Sequence, residues 1–202
     1  MFGDGLWAFI LASFAIEATP GPNMAYLIVL AATEGRRAGY AAVAGVALGL
    51  LIVGLLSALG LAALISASPV LFQALRWAGV VYLLWLAYDA WRPERPEENA
   101  FRSKNARYFR RGLIVNLLNP KAAVFYIAML PQFVSREAAI LTQTITLSLV
   151  YVAVATVVHA SLVTLADMAH GTLTDPVRRK IVRRAMACTL VAIAAWFAFE
   201  TA

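Results

Sequence analysis

The residues whose types and spacing could do chemistry are few in this chain: Glu17, Thr19-Pro20-Gly21-Pro22-Asn23, Asn116, Asn119-Pro120-Lys121 and His159. Each stands inside or beside a long apolar run. A carboxylate such as Glu17 in that setting costs at least about 2.5–3.5 kcal/mol on insertion scales, so it should face the interior or be protonated. It could hold an ammonium group, carry a proton, or simply hydrogen-bond the broken backbone beside it. Lys121 could pair with Glu17, attract a carboxylate, or snorkel to the interface on its long stem. Asn23, Asn116 and Asn119 offer neutral donors and acceptors for a ligand, or for helix–helix bonds worth roughly 0.6–2 kcal/mol. His159 could relay protons, since imidazole titrates near neutrality, or be a satisfied bundle residue. Other chemistry is poorly supplied. The one cysteine, Cys188, gives no disulfide, dithiol pair or cysteine metal cluster, and no HExxH or GxSxG motif occurs. No cofactor and no metal site are expected, and the chain does not read as an enzyme.

The composition says what must position these groups. The chain has 202 residues, 62% hydrophobic and 14% charged, with a mean hydropathy of +0.76. A soluble domain runs roughly 45–50% apolar and about 25% charged. One soluble core could not hide so much apolar side chain, because a domain of this size leaves about 30% of its unfolded surface exposed. Disorder is excluded by the same figures. A net charge of +6 beside so few charges suits a loop bias in a membrane protein better than a nucleic-acid binder.

A membrane span needs about 20 mostly apolar residues. Six candidates appear, at roughly 6–32, 40–66, 70–91, 112–134, 141–168 and 185–202. The first lacks a basic leader and runs past a cleavable length, so it is expected to be retained. Arg36 and Arg37, the stretch from Arg92 to Arg111, and the stretch from Arg178 to Arg184 hold 14 of the 17 basic residues. All three lie in odd-numbered loops. The positive-inside rule puts those loops in the cytoplasm and both termini outside. The expected fold is therefore all-α and membrane-integral, a single domain over 1–202. Residues 1–91 form one three-helix repeat, 92–111 a basic cytoplasmic loop that could attract anionic lipid, and 112–202 a second repeat.

With three spans per half, the second half enters from the opposite side. Inverted repeats of this kind are common in secondary transporters, where interrupted helices in matching positions mark the binding site. Pro20-Gly21-Pro22 and Asn119-Pro120 each interrupt the first span of their half. Proline removes a helix hydrogen bond and clashes with the preceding turn. Backbone groups freed in lipid must find protein partners or line a wet cavity. Tyr26 and Tyr126 each lie six residues past the break prolines Pro20 and Pro120. Counted from the span edges, both breaks fall about 10–20 Å from the cytoplasmic side, which mirrors imperfectly. Gly45 and Gly49 form a small-xxx-small step for close helix packing, and a homodimer through that face is a further expectation. Asp89 and Asp167 read as interface anchors. Trp77, Trp85, Trp91 and Trp196 read as belt or packing residues.

Several stretches resemble the lysine exporter superfamily, in its RhtB-like branch of amino-acid exporters. Ala18-Thr19-Pro20-Gly21-Pro22-Asn23 matches that family's TPGPN signature. Gly35-Arg36-Arg37-Ala38-Gly39, followed by Gly45 and Gly49, resembles its second span. Trp77 to Ala87 resembles the third, although the family often has glycine where Ala87 stands. Gly112-Leu113-Ile114-Val115-Asn116-Leu117-Leu118-Asn119-Pro120-Lys121-Ala122-Ala123, continuing to Leu130-Pro131-Gln132-Phe133, is the most specific stretch. The resemblance covers the first 134 residues; the last two spans match in hydropathy. It implies a bacterial inner-membrane exporter of amino acids or close derivatives, driven by the proton gradient. Glu17 stands where the resemblance implies an uncharged residue.

The expected site is a cavity between the two broken spans. Helix N-termini there present free N–H groups to a carboxylate, and Glu17 or Asn119 takes an ammonium. Protons couple at Glu17 or His159, and the two halves rock to alternate access. A divalent-cation exporter is the first alternative, disfavoured because hard cations want several oxygen ligands. A non-transporting scaffold or receptor subunit is the second.

Overall fold

The computed structural model describes residues 3–59, 68–91, 101–135, 139–170 and 176–200. The termini, the links at 60–67 and 92–100, Arg136-Glu137-Ala138 and 171–175 lie outside the described residues. With them lie Ser66-Ala67 of one expected break and Arg92 and Arg95 of the basic loop.

The described residues are all helical apart from short connections. In chain order they form α1 (Gly3–Ala18), α2 (Pro22–Glu34), α3 (Arg36–Ala58), α4 (Pro69–Trp91) and α5 (Phe101–Leu117). Then comes α6 (Pro120–Val124), which runs on as a π-helical stretch (Phe125–Met129) and a 3₁₀ turn (Leu130–Phe133). The chain closes with α7 (Ile140–His170) and α8 (Pro176–Glu200). Arg36–Ala58 and Ile140–Met168 are long and apolar enough to cross a bilayer. Lys104–Leu117 and Lys121–Phe133 form a third such element if the 53° bend between them is counted as one broken span. The outer surface is apolar, with Trp7 70%, Val81 63%, Val157 66% and Phe199 80% exposed. Apolar surface on this scale fits lipid rather than water.

Both expected interruptions are present. α1 stops where Thr19 N–H turns back to Ile16 O at 3.1 Å. Pro20 cannot donate, Gly21 is extended (φ −171°, ψ 176°), and α2 restarts with Pro22 at its first turn. Between α5 and α6, Asn119 N–H closes on Asn116 O at 2.9 Å. The Asn119 side chain then caps α6 by accepting from Lys121 N–H at 3.1 Å.

The packing is reciprocal. α3 packs most extensively on α5 and next on α7, while α7 holds α1 and α2, and α4 packs along α8. The helices before and after the first break thus lie on α7, and the helix before the second break lies on α3. A core of Phe9, Leu27, Leu50, Leu83, Tyr126, Leu130 and Tyr151 sits between them.

Several readings of the sequence change. The stretch taken as a polar linker up to Arg111 is helix from Phe101 onward, because glycine contacts dock it on α3. A Cβ on Gly45 would lie 2.0 Å from Phe109 O, and one on Gly112 would lie 2.2 Å from Ala42 O. The same contacts use the glycine face of α3 within the chain, so that face is not open to a second copy. The longer α5 also moves the break. At about 1.5 Å per residue, the 13 residues of α2 and 17 of α5 carry both interruptions about 20–25 Å from the basic end.

That basic end is tied by polar contacts. Tyr108 OH donates to Glu34 at 2.9 Å, and Arg36 N–H donates to Asp167 at 2.7 Å. Arg111 donates to Asp89 at 2.6 Å and lies over the Trp85 ring. Arg184 lies over the Trp91 ring. The two aspartates therefore tie helix ends together rather than only marking an interface.

Candidate functional site

The two interruptions meet. Lys121 Nζ donates to Thr19 O at 2.9 Å, so the cation of the second break satisfies a carbonyl freed by the first. Gly21 keeps the turn beside the lysine slim, with Lys121 Cδ 3.5 Å from where a Cβ would stand. Thr19 folds its own hydroxyl onto Ile16 O at 2.5 Å. Thr19 and Pro20 lie at the exposed rim. Aromatic contacts join the two spans beyond the breaks, with Phe9 of α1 5.8 Å from Phe125 and 5.1 Å from Phe133.

Glu17, Gly21, Asn23, Met24, Asn119, Lys121, Ala122 and His159 enclose one cavity. Its water-accessible volume is about 10 Å³, the room that one water needs. An amino acid does not fit without a movement of the walls.

Glu17 is 4% exposed and is held from α7 on both oxygens. His159 Nε2 lies 3.1 Å from Glu17 Oε2, and Tyr151 OH donates to Oε1. Lys121 does not pair with it directly, because the amine is drawn to the Thr19 carbonyl. His159 is 1% exposed, and its Nδ1 has no partner among the described residues. Asn23, 5% exposed, likewise has an unpartnered Oδ1. At the start of α2, Pro22 has no N–H and Ala25 N–H bonds Gly21 O at 3.0 Å. The N–H groups of Asn23 and Met24 have no acceptor within their own helix. The site thus joins an anion held on α7, a helix N-terminus, an ammonium and an unused amide oxygen.

Of the candidate residues, Glu17, Gly21, Asn23, Asn119, Lys121 and His159 line this cavity, whereas Thr19 and Pro20 stay at its rim and Pro22 turns to a second cavity beside Gly79 and Tyr82. Asn116 does not line the cavity; it is fully buried against α3, its Oδ1 2.6 Å from where a Cβ on Gly49 would lie. Tyr151 is the partner of Glu17 that its type alone does not announce. Its position does: Tyr151, Ala155 and His159 fall at i, i+4 and i+8 and so share one helix face, and all three are buried. The Tyr151 ring is fixed by stacking on Phe125 at 3.7 Å.

Comparison with known proteins bears on this arrangement. A family model described as LysE type translocator matches residues 14–201, which takes in both breaks and the helix that holds Glu17. The homoserine/homoserine lactone efflux protein of Salmonella typhimurium is 31% identical over 195 residues, 95% of this chain and 95% of that one. The leucine efflux protein of an Enterobacter species is 33% identical over 136 residues, 65% of this chain and 64% of that protein. No solved structure matches the chain. Both helix breaks, and α7 and α8 beyond the clearest motifs, lie within the matched region, and the chain belongs to the LysE type translocator family.

Proposed function

We propose that the chain is a secondary transporter of the bacterial inner membrane that exports amino acids or close derivatives in exchange for protons. The observation that carries this reading is the cavity where both breaks meet, with opposite charges on its two sides. The substrate carboxylate docks at the α2 N–H groups of Asn23 and Met24, beside Lys121. Helix N-termini favour anions through these unsatisfied donors and the helix dipole. The ammonium goes to Glu17, with Asn23 Oδ1 as a neutral acceptor. Asn119 keeps the lysine turn in place rather than binding, since its oxygen already caps α6.

The fold is two inverted three-helix repeats, supported by the packing of α1 and α2 on α7 and of α5 on α3. Rocking of one half against the other enlarges the water-sized cavity and alternates access. Both termini lie outside, and the tied, arginine-rich end is cytoplasmic, facing anionic lipid. A homodimer would have to use a face other than the glycine face of α3. The chain carries no enzymatic step and no resident metal. A divalent-cation exporter is disfavoured because the neighbours of Glu17 are an imidazole and a phenol, not the oxygen shell a hard cation wants.

The relatives named for homoserine, homoserine lactone and leucine efflux set the first panel. Cells preloaded with L-leucine, L-homoserine or homoserine lactone should lose at least one of them faster when the chain is expressed. A protonophore should abolish the difference. Unchanged retention of all three and of a wider amino-acid panel would sink the exporter reading, and efflux indifferent to protonophores would sink the coupling.

A further inference from the structure

We infer that His159 is the proton-carrying residue, and that substrate and proton exclude each other because both need the single carboxylate of Glu17. The inference rests on the exporter reading above and deepens it. Among the described residues, Glu17 is the only acidic side chain lining the cavity. One of its oxygens takes the Tyr151 hydroxyl and the other takes His159 Nε2 at 3.1 Å. An imidazolium at His159 is therefore neutralised by the same group that a substrate ammonium needs. Three side chains are fixed around this pair. Tyr151 comes from α7, while Lys121 from α6 and Tyr126 from the π-helical stretch flank the pair from the chain that follows the second break. Tyr126 packs 5.4 Å from the Tyr151 ring and donates to Leu50 O at 2.9 Å. Lys121 is engaged by Thr19 O. Of the groups facing Glu17, His159 alone can change charge without giving up another hydrogen bond, because Nδ1 has no partner among the described residues.

The exchange balances. Without substrate, imidazolium and carboxylate form the pair. When a zwitterion enters, its ammonium neutralises Glu17, its carboxylate takes the α2 N–H groups, and the imidazolium releases the Nδ1 proton to water. One net-neutral substrate binds and one proton leaves. Facing outside, the steps reverse: a proton binds Nδ1 and the ammonium loses its partner.

The test counts protons. L-leucine or L-homoserine is added to purified protein in weakly buffered detergent solution, with a pH dye as readout. Wild type should release about one proton per molecule bound. His159→Gln should bind without release. In vesicles it should exchange labelled for unlabelled amino acid but not accumulate it against a pH gradient. Undiminished release from His159→Gln would overturn the inference. So would wild-type binding that releases no proton at any pH, a measurement that holds even where the variant fails to fold. Wild type that neither binds nor exchanges any amino acid would count against the exporter reading itself.

Discussion

At the residue scale, the site is a buried anion whose surroundings are supplied by another helix. Replacing Glu17 by Gln keeps the shape and hydrogen-bonding reach of the side chain while removing its charge. Glu17→Gln should still reach the membrane and lose proton-coupled efflux; coupled efflux at the wild-type rate in vesicles would remove Glu17 from the mechanism. Tyr151→Phe is a finer probe, because stacking on Phe125 at 3.7 Å needs only the ring. A hydrogen bond to a charged group is worth about 1.5–3 kcal/mol. Losing it should slow efflux by roughly tenfold or more, with the amount of membrane-inserted protein unchanged. Comparing transport rates at matched expression checks this. Glu17, Lys121 and the break residues stand out in the sequence because charge and proline are rare inside apolar runs. Tyr151 does not, because a tyrosine in a membrane helix is ordinary until its register with His159 is noticed. The direct partner of Glu17 could not be read from charge alone: Lys121 is the obvious counter-ion, yet a freed carbonyl claims it first.

At the element scale, prolines set where the helices stop and glycines set how they pack. The interruptions were legible to the residue, since a helix cannot run through Pro20-Gly21-Pro22. The start of α5 was not. Arg102, Lys104, Arg107, Arg110 and Arg111 make residues 101–111 look like a solvated loop, and only the tertiary contact of Gly45 and Gly112 shows why they are helix. That contact is testable. Gly45→Ala would drive a Cβ to 2.0 Å from Phe109 O, and Gly112→Ala to 2.2 Å from Ala42 O. Overpacking of this kind costs about 1–3 kcal/mol. Each variant should lower the unfolding temperature in detergent, and the pair should be less than additive because both act on one helix contact. Gly5→Ala is the control: nothing lies within 4 Å of the added carbon, so helix propensity alone predicts no loss. Equal melting temperatures for all three variants would mean that the α3–α5 contact does not hold the bundle together.

At the scale of the whole molecule, charge asymmetry and reciprocal packing point to one insertion. Fourteen of the 17 basic residues lie at 36–37, 92–111 and 178–184, most of them toward the starts of α3, α5 and α8. A C-terminal alkaline phosphatase fusion should therefore be active and a C-terminal green fluorescent fusion dark, with the reverse for fusions made within 92–100. A bright C-terminal fluorescent fusion would reverse the orientation and, with it, the direction assigned to the proton. The all-helical, apolar plan was legible because hydropathy follows from the bilayer itself. The way the halves interlock was not, because it depends on which helix faces meet. The water-sized cavity has one further consequence. A single elementary charge crossing the membrane dissipates about 2.3 kcal/mol per 100 mV. A pore left open between transport cycles would drain that store continuously. The cavity around Glu17 leaves about 10 Å³, room for about one water, so among the described residues this crossing point of the two breaks is plugged by side chains rather than held open, which is what a carrier that must not leak requires.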